Sequence, residues 1–427
     1  MNDIKNTIPY ILSSDFLNVT SKISEELLWA RHMVMSEFGS IGGGGVNRQA
    51  LSVAEFDARK KLLEWANEIN LVGYTDAIGN LFLRREGEDK TLPAVMTGSH
   101  IDTQPMGGRF DGIYGILAGL EALRAIDVSG IKLNRSIELV VWTNEEGSRF
   151  LPGAMGSAIF SGYYNINEVC ENKDDQGITL RDALSNLSNK FPELVIRETP
   201  SPISCYLEAH IEQGPILENT GVSIGVVTGV QGCRWYTVEV IGETAHAGTT
   251  PITHRRDAVR EAVECIKALQ EVMRDELDIL RFTVGRFNVT PGSINSVASR
   301  VIFTIDIRHP ESTTLEHFSD LVEKTCKSVV LTCEVIVVET LSHSPSSFDQ
   351  ALLNLIGTAA NNLELSTMKI TSGAFHDAQN LNNISPTGMI FVPCERGISH
   401  NPAENAKSED LANGARVLLL SLLRLAG

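Results

Sequence analysis

Residues 92–100, LPAVMTGSH, form a short apolar run that closes on polar residues. FDGIYGILAGLEALRAI (110–126) follows with a helix start and an amphipathic helical pattern. SIELVVWTNEEG (136–147) is another buried-type strand ending in charge, and CYLEAHIEQG (205–214) repeats the theme. Strands alternating with helices in this way predict an α/β sheet covered on both faces. In such sheets ligands bind beyond the carboxyl ends of the strands, which is where the polar residues of these runs fall.

Further along, the chain changes character. RWYTVEVIGETAHAG (234–248) alternates like a half-exposed antiparallel strand, and residues 256–275 carry an amphipathic helical pattern. RFTVGRFNVTPGSINSVASRVIFTIDIRH (281–309) reads as strand, turn, strand. Residues 314–330 read as a second helix and CEVIVVETL (333–341) as a last strand. This β-α-β-β-α-β order predicts a ferredoxin-like α+β insert. Helix 350–363 and strand 388–393 then return to the first style, so the larger domain is discontinuous. Upstream, residues 20–39 and 52–70 have helical spacing. Between them GSIGGGGVNR (39–48) lacks a following Gly-Lys-Ser/Thr, which excludes a P-loop. A flexible loop near the active site is expected there.

At about 150 residues per domain, 427 residues suggest two to three domains. The chain carries 36 Lys and Arg against 53 Asp and Glu, a net charge of −17, without a basic block. That argues against a nucleic-acid or anionic-membrane surface. No apolar run approaches the roughly 18 residues of a membrane span. MNDIKNTIPYILSSDF (1–16) lacks the basic start and long apolar stretch of a signal peptide. Cys170, Cys205, Cys233, Cys265, Cys326, Cys333 and Cys394 are odd in number and scattered, with no C-x-x-C. They read as small hydrophobes in a reducing cytoplasm, not as a disulfide framework.

Five places stand out as one constellation: His100, Asp111, the pair Glu145–Glu146, His210 and His400. Singly, each has a plain explanation: a structural histidine, a helix-capping aspartate or a solvated strand end. Together, each follows an apolar strand or opens a helix. Imidazole with carboxylate suits Zn²⁺, and also Mn²⁺, Co²⁺ or Ni²⁺. Two divalent ions close together repel, and a bridging carboxylate relieves this; Asp111 is the candidate. Adjacent Glu145 and Glu146 at a strand end can point apart, one to metal and one to water as general base. Asp102, two residues beyond His100, can accept the second imidazole N–H.

The chain resembles the zinc-dependent amidase, hydantoinase and carbamoylase family, which is related to the dinuclear aminoacylases and carboxypeptidases. The resemblance runs from about 22 to 425, carried in order by GSHIDTQPMGGRFDGIYG, WTNEEGSRF, EAHIEQGP, TAHAGTTP, PGSINSV and SHNPAE. It implies one metal at His100, Asp111 and His210, and a second at Asp111, Glu146 and His400, with zinc the first expectation. It implies Glu145 as general base. The implied fold is a mixed-sheet three-layer α/β catalytic domain at 1–229 and 344–427. The resemblance also implies a ferredoxin-like α+β lid and dimerisation domain at 230–343, and through it a homodimer. His246 resembles a histidine that reaches the partner subunit's site and stabilises the tetrahedral intermediate. Asn295 and Arg308 resemble residues that grip a substrate carboxylate; the lesser reading of Arg308 is a surface ion pair with an acidic neighbour. Gln213 and Gln231 are weaker candidates for contacts with a ureido group. His32, His254, His309, His317 and His343 lack motif support and read as surface or structural.

Two departures matter. SGAFHDAQ (372–379) has Phe375 where the family usually has a small residue, which puts side-chain specificity in doubt. SHNPAE has Ala403 where the family often has glutamate. His376 stands in a family motif without an assigned role. The implied activity is metal-dependent hydrolysis of N-carbamoyl-L-amino acids or N-carbamoyl-β-alanine to amino acid, ammonia and carbon dioxide. Allantoate amidohydrolase is the alternative, and a metal-dependent binding protein without turnover the remote one.

Overall fold

The computed structural model describes residues 14–199 and 201–427. Residues 1–13, which hold most of the stretch read against a signal peptide, lie outside them. Gly229–Ser347 forms one compact unit, and the chain up to Thr228 and from Phe348 forms the other. Among the described residues no helix is long and apolar enough to cross a membrane.

The centre of the large unit is four neighbouring parallel strands, in the order Ile137–Trp142, Ala94–His100, Ile203–Ile211 and Thr387–Val392. Three of them are buried from end to end, which is why they read as continuous apolar runs. Leu81–Arg85 joins antiparallel on one side and Ile224–Val230 on the other, so the sheet is mixed. Helices Ile113–Ser129 and Ser408–Ala426 pack on each other and on the sheet. The register sets His100 beside Trp142 and His210 beside Phe391. The carboxyl ends of all four strands therefore open level with one another.

The small unit is an antiparallel sheet ordered Arg281–Thr290, Arg300–His309, Gly232–Ile241, Glu334–His343. Helices Ala258–Val272 and Ser312–Val329 cover one face, burying Val238, Val240, Cys265, Leu269, Phe303 and Ile305. This is the ferredoxin-like order. One expectation is corrected here. The strand expected over 234–248 ends at Ile241. A Cβ on Gly242 would lie 2.1 Å from the Arg256 carbonyl oxygen, so the chain leaves the sheet there and 242–248 is irregular.

GSIGGGGVNR, expected as a flexible loop near the active site, contains a short hairpin. Ser40–Gly42 pairs with Gly45–Val46, and Gly42, Gly43 and Gly44 turn the hairpin at φ of 85°, 62° and 88°. Such angles favour glycine, which accounts for the run. The hairpin lies on the segment that carries His400: a Cβ on Gly44 would come within 2.9 Å of the Pro402 carbonyl oxygen. Two residues past the hairpin, Arg48 is buried and donates to the carbonyls of Ile101 (2.7 Å), Met35 (2.8 Å) and Phe38 (3.0 Å).

Candidate active site

Each candidate ligand sits at or just beyond a strand end. His100 closes its strand and His210 stands one residue before the end of the next. Asp111 precedes helix Ile113–Ser129. Gly112, between them, has φ 66°, and a Cβ there would lie 2.3 Å from the His100 ring, so only glycine fits. Glu145 and Glu146 follow Asn144, a left-handed residue at φ 57° whose amide donates to the carbonyls of Phe150 (2.7 Å) and Pro152 (3.1 Å). His400, at φ 54°, lies on the segment after strand Thr387–Val392.

These five elements converge. His210 Nε2 lies 3.3 Å and His100 Nε2 3.9 Å from Asp111 Oδ1. His400 Nε2 lies 3.1 Å from Asp111 Oδ2 and 3.3 Å from Glu146 Oε2. His100, Asp111 and His210 form one group with ligand atoms within 4.8 Å of one another, and Asp111, Glu146 and His400 form a second. Asp111 belongs to both. A third group, Glu208, His210 and His376, shares His210 with the first.

The donor set fits cations. His100 Nδ1 lies 2.9 Å from the Asp102 carbonyl oxygen, and His210 Nδ1 lies 2.9 Å from that of Ile211. A carbonyl only accepts, so each Nδ1 carries the proton, and in the neutral ring Nε2 presents a lone pair. Those lone pairs face carboxylate oxygens, an arrangement that needs a proton or a cation between them. Burial alone would lower His210, but the hydrogen bond and charge of Asp111 lift it to about 9. Hydrogen bonds to Asp111 and Glu146 lift His400 to about 10. Burial opposes charge on Asp111, yet His210 and His400 hold it well below the ordinary carboxylate range. Protons here occupy positions that suit a metal. Loading Zn²⁺ at pH 7 should therefore release protons, and apparent affinity should rise with pH through about 9 and about 10 as His210 and His400 deprotonate. An indicator dye in weak buffer reads the release; metal uptake without it would contradict this reading.

Asp102 needs correction. Its carboxylate does not take the His100 N–H, being 3.8 Å from Nδ1; its own carbonyl oxygen does. The carboxylate instead accepts from the main-chain N–H of Glu145 (3.2 Å) and Glu146 (3.1 Å), fixing the turn that presents both glutamates. Gln213 lies against Asp111. Its Nε2 donates to Asp111 Oδ2 (3.0 Å) and Ser399 Oγ (3.2 Å), while its Oε1 is buried without a partner. Phe375 is half-buried. His376 is buried, 3.0 Å from Ser372 Oγ, with its ring edge-on to His210 at 4.6 Å. His32 is a buried structural histidine beside Phe110 and Tyr114.

The remaining candidates belong to the small unit. His246 is exposed, and its Nδ1 accepts from the N–H of Gly248 (3.0 Å) and Thr249 (3.2 Å). Its proton therefore sits on Nε2 in the neutral ring. Asn295 is exposed next door, its carbonyl accepting from Ala247 N–H (3.0 Å). Arg308 is half-buried and makes the ion pair with an acidic neighbour: Nε donates to Asp306 Oδ1 (3.1 Å) and Nη2 to Oδ2 (2.9 Å). Gln231 is half-buried with Oε1 lacking a partner.

Two residues near the ligands carried no signal of spacing. Gln104 bonds to Glu146, and Glu404 supports Asp111. Glu404 Oε1 accepts from the buried N–H groups of Phe110 (2.8 Å) and Asp111 (3.1 Å), and Oε2 from Ser399 Oγ (3.0 Å). Burial pushes Glu404 up to about 7. Glu404→Ala orphans two buried N–H groups at about 1–3 kcal/mol each, so a loss on the order of 2–6 kcal/mol is expected. Denaturant unfolding of chelator-treated protein measures it free of metal effects. An unchanged midpoint would show these bonds to be dispensable.

Residues 96–424 match the family described as Peptidase family M20/M25/M40. The chain belongs to that family, and within it to the hydantoinase/carbamoylase type of amidase. It is 36% identical to an N-carbamoyl-L-amino-acid amidohydrolase of Rhizobium meliloti, over 95% of this chain and 97% of that one. It is 33% identical to a ureidoglycolate hydrolase of Arabidopsis thaliana, over 96% of this chain and 89% of that one. A hydantoinase/carbamoylase family amidase from Burkholderia multivorans superposes with TM-score 0.87 at 38% identity, covering 95% and 98% of the two chains. The protein is a hydrolase acting on C–N bonds.

Proposed function

We propose that the protein hydrolyses the carbamoyl group of N-carbamoyl-L-amino acids or N-carbamoyl-β-alanine to amino acid, ammonia and carbon dioxide. The observation that carries this is Asp111 shared between two ligand groups, with Glu145 Oε2 only 3.5 Å from His100 Nε2. His100, Asp111 and His210 would hold one divalent ion and Asp111, Glu146 and His400 a second, zinc first among zinc, manganese, cobalt and nickel. When bound, such ions supply Lewis acidity at the ureido carbonyl and acidify water.

The chain's own residues do the rest. Burial, then the charges of Asp377 and Glu146, hold Glu145 well above the ordinary carboxylate range. That suits a group that takes a proton from the attacking water and returns it to the leaving nitrogen. Gln213 offers its orphaned Oε1 to the ureido NH₂ group, and Gln231 is a further acceptor of the same kind. His246, serving the other subunit's site in a homodimer, donates from Nε2 to the developing oxyanion. Gly229–Ser347 acts as the lid and dimerisation domain. Arg308 and Asn295 grip the substrate carboxylate. The unpaired thiols support a cytoplasmic setting.

Arg308→Lys is expected to raise KM roughly 10–100-fold with kcat little changed, because lysine cannot make the bidentate contact. An unmoved KM would remove Arg308 from the substrate site. The likeness to a ureidoglycolate hydrolase favours a second reading, a ureido acid such as ureidoglycolate or allantoate. One methylene is worth only about 1–3 kcal/mol in a pocket, so a direct comparison is needed. Ammonia release should be ranked over N-carbamoyl-L-amino acids, N-carbamoyl-β-alanine, allantoate and ureidoglycolate. Highest kcat/KM on a carbamoyl amino acid supports the proposal. Turnover confined to allantoate or ureidoglycolate replaces it with the second reading.

A further inference from the structure

The two ligand groups are built unequally. His100 and His210 have side chains only 3% and 1% exposed, stand on strand ends, and are each braced at Nδ1 by a main-chain carbonyl 2.9 Å away. The side chain of His400 is 49% exposed and sits off the sheet. Among the described residues nothing braces its Nδ1. The ligands specific to the second group are thus a loosely held imidazole and Glu146, so retention there depends on how firmly Glu146 is held.

Asp102 fixes its main chain, and Gln104 contacts both oxygens of its carboxylate. The main-chain N–H of Gln104 donates to Glu146 Oε1 at 3.1 Å, and its side-chain Nε2 donates to Oε2 at 2.9 Å and to the Glu146 carbonyl oxygen at 3.3 Å. The amide N–H₂ faces the carboxylate as a donor. It takes one lone pair of Oε2 and orients the other. From this geometry we infer that Gln104 is the positioning residue for Glu146, and that the Asp111–Glu146–His400 position is the exchangeable one of two, its retention set by the Gln104 amide.

This rests on the two-ion reading above and concerns only residues of the large unit. Removing an outer partner of a metal ligand typically costs about 10–100-fold in affinity. The main-chain contact of Gln104 survives substitution, so Gln104→Ala and Gln104→Met isolate the amide, and methionine keeps the side-chain volume. Zinc-loaded protein would be equilibrated with chelator buffers of graded free Zn²⁺, and bound zinc counted by mass spectrometry. Wild type is expected to release its ions in two steps. Both Gln104 variants should move the weaker step by about 10–100-fold and leave the tighter one in place. Glu146→Gln should abolish the weaker step and so identify it. Release of both ions in a single step, or Gln104 variants that move both steps or neither, would overturn the inference. Saturation of the wild type at one ion or none would instead overturn the two-ion reading, and this inference with it.

Discussion

Glu145→Gln is expected to lower kcat on the order of 10⁴-fold, the top of the range for a positioned acid–base group. One carboxylate serves two proton transfers in the proposed reaction, and an amide serves neither. The substitution should leave the surroundings intact. Glu145 is fixed through its main chain, with its N–H on Asp102 Oδ1 (3.2 Å) and its carbonyl accepting from Ala154 N–H (2.7 Å). Its side chain is not among the ligands of either group. Bound metal should thus equal that of the wild type, while KM changes little. Loss of metal together with turnover would make Glu145 a ligand instead of a base. Near-wild-type kcat would remove it from the chemistry.

Asp111→Asn should be as damaging by another route. Asp111 is the single carboxylate common to both groups, Oδ1 facing His210 and His100 and Oδ2 facing His400. Asparagine turns one of those oxygens into a donor and removes the charge that relieves repulsion between two cations. Both ions should be lost at concentrations that saturate the wild type, and activity should fall to background. His400→Ala should cost only the ion at the exposed position. Metal counting separates the two variants. An Asp111→Asn protein that retains two ions would show that Asp111 does not bridge.

The fold was legible where physics is local. Strands buried from end to end appear as apolar runs, and each of the four central ones is followed by, or ends on, a polar residue that meets the others in space. The small unit was legible from alternation in 281–309 and the helical spacing on either side. Less legible were partners set by distant chain segments. Asp102 was expected to serve the imidazole two residues away. The turn at 100–102 brings its own carbonyl to Nδ1, leaving the carboxylate for N–H groups 43 and 44 residues downstream. Gln104 and Glu404 act across 42 and 294 residues, which no spacing rule reaches. The Arg308–Asp306 pair could have been read more firmly, since residues two apart on a strand share a face. The irregular path at His246 depends on the close packing of Gly242 against Arg256, a contact invisible in the alternation pattern.

The most direct test of the central claim is ammonia release from an N-carbamoyl-L-amino acid by Mn²⁺- or Zn²⁺-loaded wild type and Glu145→Gln side by side. The account predicts one ammonia for each amino acid formed by the wild type, and none above background from the variant at equal metal content. Equal release by both proteins, or silence from a wild type that holds two ions, would contradict it.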